Sequence, residues 1–130
     1  MGENRRKIVM RIKRIGCEFS VCKVADFSQV DLDGEYCFVG KTDEERSLVC
    51  RSECVPGNVL ECENGWRAFR IEGVLDFPLI GILAEISALL AERKIGIFAV
   101  STYNTDYIFT KKENFERAVQ ALEEAGYQVV

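Results

Sequence analysis

The segment Ile97-Phe98-Ala99-Val100-Ser101-Thr102-Tyr103-Asn104-Thr105-Asp106-Tyr107-Ile108-Phe109 sets two β-type runs around a polar turn. Ile97 to Thr102 is rich in β-branched and aromatic residues. Tyr103 to Thr105 supplies the turn, where Asn104 tolerates an unusual backbone angle. Tyr107-Ile108-Phe109 returns as a partner strand, which makes the segment a hairpin. Upstream, Leu79, Ile82, Leu83, Ile86, Leu89 and Leu90 recur at helical spacing, with Glu85, Glu92 and Arg93 off that stripe. Gly96 ends this helix region. Asp76 suits the helix start as a cap and Pro78 suits its first turn, where a missing N–H costs nothing. Before that break, Trp66 to Gly73 has strand composition. Downstream, a second helix is expected from about Lys112 to Ala125, with Phe115, Ala118, Val119 and Leu122 on one side. Gly126 fits its C-terminal cap, and Tyr127 to Val130 is a last short strand.

The second half therefore reads βαββαβ. Two helices on one face of a four-stranded antiparallel sheet make an α+β, ferredoxin-like sandwich. The first half is less regular. Ile8, Met10 and Ile12 alternate with charges, Phe19 to Val24 reads as another strand, and Tyr36–Gly40 and Ser47–Cys50 as two more. Thr42-Asp43-Glu44-Glu45 has the form of a capping box and predicts a single helical turn. No long amphipathic helix precedes residue 65. The expected division is a β-rich unit over 1–65 and the βαββαβ unit over 66–130.

The chain has 130 residues, 48% hydrophobic and 29% charged, with only 2 Pro. This is globular composition. The net charge of -4 argues against nucleic acid as a partner. Arg5-Arg6-Lys7, with Arg11, Lys13 and Arg14, reads as the solvated end of a strand. No signal-peptide pattern and no membrane-spanning apolar run is visible, so the expected location is cytoplasmic and away from membranes. The 6 Cys, at 17, 22, 37, 50, 54 and 62, all lie in the first half. Cys50-x3-Cys54 falls in the loose range of zinc spacings, but no CxxC and no His accompany it. Small buried thiols filling strand positions are the expectation.

Catalysis finds little material. There is no His, no Gly-rich phosphate loop and no Gly-x-Ser-x-Gly elbow. The pairs Glu44-Glu45 and Glu123-Glu124 read as solvated surface. No enzyme, cofactor or metal is expected. Ligand binding is better supplied. A helix start at Asp76-Phe77-Pro78 offers backbone N–H groups to a carboxylate. Gly81 lets a ligand or backbone come close, and Asp106 can bind a cationic group. Together they suit an α-amino acid.

Leu75-Asp76-Phe77, Gly81-Ile82-Leu83 and Ser101 to Ile108 resemble the ACT domain, the βαββαβ module that senses amino acids in regulated metabolic enzymes. The likeness is greatest to small bacterial proteins with two ACT units, related to the aspartate kinase regulatory region and to arginine-sensing ACT proteins. Phe19 to Lys23 and Glu45 to Cys50 extend it weakly into the first half, as a reduced, β-rich ACT-like unit. The resemblance implies a non-enzymatic amino-acid sensor with its ligand at the interface of the two units. The implied contacts are Asp76, Phe77, Leu79, Ile80, Gly81, Thr102 and Asp106, with Ser47 and Leu48 from the first half. Exposed strand edges point to a homodimer, since ACT-like sheets often extend across subunits, and a partner protein is expected to read the bound state. Two other readings stay open. One is a protein-interaction module with no ligand, the other a metal or redox sensor built on the cysteines.

Overall fold

The structure, a computed structural model, describes residues 10–72 and 81–130. Its elements are β1 (Arg11–Val24), β2 (Phe38–Lys41), β3 (Arg46–Arg51), β4 (Val59–Glu72), α1 (Ile82–Glu92), β5 (Ile97–Ser101), β6 (Asp106–Lys111), α2 (Phe115–Glu124) and β7 (Gln128–Val129). Single 3₁₀ turns at Ser52–Cys54 and Lys112–Asn114 follow β3 and β6. The chain forms two compact units, Met1–Gly16 with Arg67–Val130, and Cys17–Trp66. The boundary differs from a cut at residue 65, because the start of β1 groups with the second half.

In the helix-bearing unit, Ile82, Ile86 and Leu90 are the buried stripe of α1. Phe115, Ala118, Val119, Ala121 and Leu122 are that of α2. Both pack on Phe69 and Ile71 of β4, Ile108 of β6, Ile12 of β1 and Met10 just before that strand. The two helices end by one device. Ile95 N–H donates to the Leu90 carbonyl (3.0 Å) and Tyr127 N–H to the Leu122 carbonyl (3.1 Å), which drops an apolar side chain into the core each time. The left-handed residue this needs is Gly126 after α2, as expected, but Lys94 (φ 58°) after α1. Gly96 therefore begins the next strand and is not the cap. Burying Ile95 requires the reversal one residue before it, so Lys94 takes the strained angle.

Gly81 is the N-cap of α1 at φ 81°, and a Cβ there would meet nothing within 4 Å. Backbone angle, not space, is what requires glycine. Gly81→Ala should cost about 1–2 kcal/mol, read as a lower urea midpoint. Gly96→Ala is the matched control, since its Cβ also meets nothing and its φ is not positive. Equal effects at both sites would refute the backbone explanation.

Two strand readings are corrected. β1 is one strand of 14 residues that runs through Gly16, not two. Its buried positions Ile12 and Ile15 are three apart, so the alternation changes phase there. The sheet of this unit is also not a four-stranded antiparallel one. β7 pairs with β1, in parallel, with Arg11 opposite Gln128 and Ile12 opposite Val129. β1 in turn neighbours β4. An alternating apolar pattern shows which face a strand buries, not which strand lies beside it.

In the unit Cys17–Trp66, β3 pairs antiparallel with β1 (Leu48 opposite Cys22) and with β2 (Leu48 opposite Val39). Cys22, Val24, Leu48 and Cys50 form its buried cluster, with Cys37 and Cys54 packed against it. Thiols thus serve as core residues, as their small size allows. Thr42–Glu45 is not a helical turn. The Thr42 hydroxyl accepts from the N–H groups of Glu44 and Glu45 (both 3.1 Å), and Thr42 N–H donates to the Glu45 carbonyl (3.0 Å). This closes the β2–β3 hairpin. Sixty residues on, Thr102 N–H donates to the Thr105 carbonyl (2.8 Å) and the Thr102 hydroxyl accepts from Thr105 N–H (3.3 Å). At the same offset, a buried Ile108-Phe109-Thr110 answers Leu48-Val49-Cys50, and a 3₁₀ turn follows each.

Candidate ligand site

The β5–β6 hairpin carries the sharpest polar feature of the helix-bearing unit. Its turn is tied to the end of β4, where the Thr105 hydroxyl donates to the Ile71 carbonyl at 2.6 Å. Asp106 follows, opposite Ser101 in the β5–β6 ladder, and is half-buried. Residues two apart on a strand share a face. Ile108 packs in the helix-side core, so Asp106 belongs to the helix side of the sheet. Its carboxylate has no hydrogen bond or ion pair among the described residues. A half-buried carboxylate with its acceptor sites unused can take a cationic group. Thr102, also proposed from the sequence, is exposed, and its hydroxyl is spent on the turn, donating to the Thr105 carbonyl at 2.9 Å.

The opposite face of the same strand ends holds a cluster that the sequence reading missed. Arg70 reaches Glu72 with Nη2 at 2.8 Å and Nε at 3.2 Å, and its Nη1 lies 3.4 Å from the Tyr107 hydroxyl. Hydrogen bonding to Tyr107 and to Glu72 holds the Arg70 guanidinium above its ordinary value, so it stays charged. The available signal was Arg70-x-Glu72, which puts both side chains on one strand face. Arg70 and Asp106 therefore stand on opposite faces of the sheet and cannot clasp the two ends of one small ligand.

The other expected residues separate. Asp76, Phe77, Leu79 and Ile80 lie outside the described residues, as do the Asp76 cap and Pro78. Gly81 is exposed and brings no side-chain cap to the start of α1. Ser47 lies in the other unit. Its hydroxyl donates to Glu45 at 3.0 Å, and it lines an open cavity of about 540 Å³ with Lys23, Glu61 and Glu63. Leu48 is 1% exposed and its side chain belongs to that unit's core. Its backbone lies between β1 and β2. Neither leaves Leu48 a side chain to offer a ligand.

Among the described residues, no helix is long and apolar enough to cross a membrane. No three metal-ligating side chains converge among them either. Curated proteins gave no match. Solved structures gave many. Protein Atu0741 from Agobacterium tumefaciens is 26% identical, with a TM-score of 0.82, over 93% of this chain and 92% of that one. A Clostridium acetobutylicum aspartate kinase, described as an allosteric enzyme, has a TM-score of 0.63 at 14% identity, over 90% of this chain but 34% of its own. A putative C-terminal regulatory domain of aspartate kinase from Porphyromonas gingivalis W83 has a TM-score of 0.54 at 17% identity, over 92% and 96%. These last two likenesses are of fold. The model of the ACT domain matches residues 61–124, from β4 to the end of α2, so this stretch of the chain is an ACT domain.

Proposed function

We propose that this chain is a non-enzymatic regulatory protein that binds a free amino acid on the helix side of its ACT unit. The observation that carries the reading is Asp106. It is a half-buried carboxylate on the face that α1 and α2 cover, beside a turn locked to β4 by Thr105, and no described side chain neutralises it. A ligand ammonium or guanidinium would complete it. The ligand carboxylate would be received by backbone N–H groups at the start of α1, where Gly81 adds no side chain. Sensing follows if ligand binds one conformation of the hairpin and helix start better than another, since a ligand shifts an equilibrium only by its differential affinity.

The test is thermal unfolding of the protein with each common amino acid in turn. A ligand at a hundred times its Kd adds about 2.7 kcal/mol, an easily seen rise in Tm. Asp106→Asn should weaken the hit tenfold or more, because a hydrogen bond to a charged group contributes about 1.5–3 kcal/mol. The unliganded Tm should not fall, since the carboxylate holds no partner among the described residues. Unchanged affinity would remove Asp106 from the site. A flat response to every amino acid would overturn the reading.

A further inference from the structure

We propose that Cys22 and Cys62 form a redox-active thiol pair, which small hydroperoxides oxidise to an intrachain disulfide. The inference does not depend on the amino-acid reading. In the unit Cys17–Trp66, β1 and β4 are neighbouring strands. They bring the two sulfurs to 3.5 Å, with the Cys22 thiol donating to Cys62 Sγ. A disulfide needs the sulfurs about 1.5 Å closer.

The two thiols differ in a way that assigns their roles. Cys22 is 4% exposed and packs with Val24, Leu48 and Cys50. Cys62 is exposed, so core filling does not account for it. Both line the open cavity of about 540 Å³, which admits an oxidant of a few atoms to Cys62. Cys62 Sγ also donates to Asn64 Oδ1 at 3.3 Å, so its direction is set from two sides. Burial, with the contact to Cys62, pushes the Cys22 thiol up to about 12, which keeps it protonated until the second step. Cys50 also touches the Cys22 thiol but is buried in the core, so Cys62 is the member of the cluster that an oxidant reaches from solvent.

In the first step the Cys62 thiolate attacks one peroxide oxygen. The O–O bond breaks, Cys62 becomes a sulfenic acid, and the other oxygen leaves and takes up a proton as water or an alcohol. In the second, Cys22 sulfur attacks Cys62 sulfur. The S–O bond breaks, and the hydroxyl leaves as water with the Cys22 proton. The two sulfurs lose two electrons in all and the peroxide gains them. A dithiol reductant reverses the product by thiol exchange.

The experiment treats the fully reduced chain with hydrogen peroxide, then counts thiols after denaturation and maps peptides by mass spectrometry. The expected result is loss of two of the six thiols, one Cys22–Cys62 linkage, and recovery with dithiothreitol. Cys62→Ser, outside the core, should keep its other thiols under the same dose. Cys22→Ala should leave Cys62 as a sulfenic acid that dimedone traps. Should Cys22→Ala not fold, the peptide map and Cys62→Ser still decide. Linkage of any other pair, disulfides only between chains, or no thiol loss would each overturn the proposal.

Discussion

Phe69→Ala is expected to cost about 3–5 kcal/mol, the range for removing a fully buried aromatic ring. Phe69 is 0% exposed and stacks on Phe115, with ring centroids 4.5 Å apart and planes 14° from parallel. The Arg67 guanidinium sits 4.2 Å from the Phe115 centroid, so that ring is held on more than one side. β4 and α2 meet at this stack, and neither can collapse into the space without breaking its own hydrogen bonds. Domains of this size are stable by about 5–15 kcal/mol, so the loss takes a large share. Urea unfolding measures it against Leu60→Ala, whose side chain is 61% exposed and should shift stability by about 0.5 kcal/mol or less. A Phe69→Ala cost near that of Leu60→Ala would mean that α2 is not anchored through this stack.

The second large effect is alkaline lability of the cysteine-filled unit. Burial, and then the neighbouring thiols, push Cys22 up to about 12 and Cys50 up to about 11 from an ordinary 9.0. A raised value means the folded state keeps a proton that the unfolded chain releases. The contribution to stability is therefore complete below pH 9 and falls as pH rises toward 11 and 12. The loss is at most about 1.4 kcal/mol per pH unit for each thiol, and less for Cys22, whose neighbour Cys62 is open to water. Urea midpoints taken in reductant from about pH 8 to 10.5 should fall steeply. Cys50→Ala and Cys22→Ala should each flatten the fall, although both begin lower because each removes packing. Parallel slopes for wild type and variants would assign the lability to lysines and tyrosines instead.

The hairpin around Asn104, the stripes of α1 and α2 and the cap at Gly126 were legible in the sequence, because each is local. Periodicity, turn residues and caps act within a few positions of themselves. Thr42–Glu45 shows where local chemistry runs out. A threonine hydroxyl that accepts from the next two or three N–H groups starts a helix in one setting and closes a hairpin in another. Here the pairing of β2 with β3 decides. Lys94 in place of Gly96 has the same cause, since burial of Ile95 outweighs the intrinsic preference for glycine.

The candidate site divides in the same manner. Asp106 stood out as a carboxylate next to a predicted turn, and the structure adds that it lies on the helix side without a described partner. Leu48 looked like a facing contact, yet a strand between two others in a small unit has to give its side chain to the core. The pair Arg70-x-Glu72 is local, but Tyr107, which completes the cluster, lies 37 positions away, so only the fold brings it in.

By itself, then, the sequence determined the kind and order of the helical half's elements and the acidic residue at its turn. Tertiary structure decided that β1 is continuous, that β7 lies parallel to it, that Leu48 is core, and that Cys22 touches Cys62. The physical reason is that hydrophobic periodicity encodes which face of an element is buried. The backbone edges that choose neighbouring strands are chemically alike at nearly every residue, so pairing emerges only when all the buried faces are satisfied together.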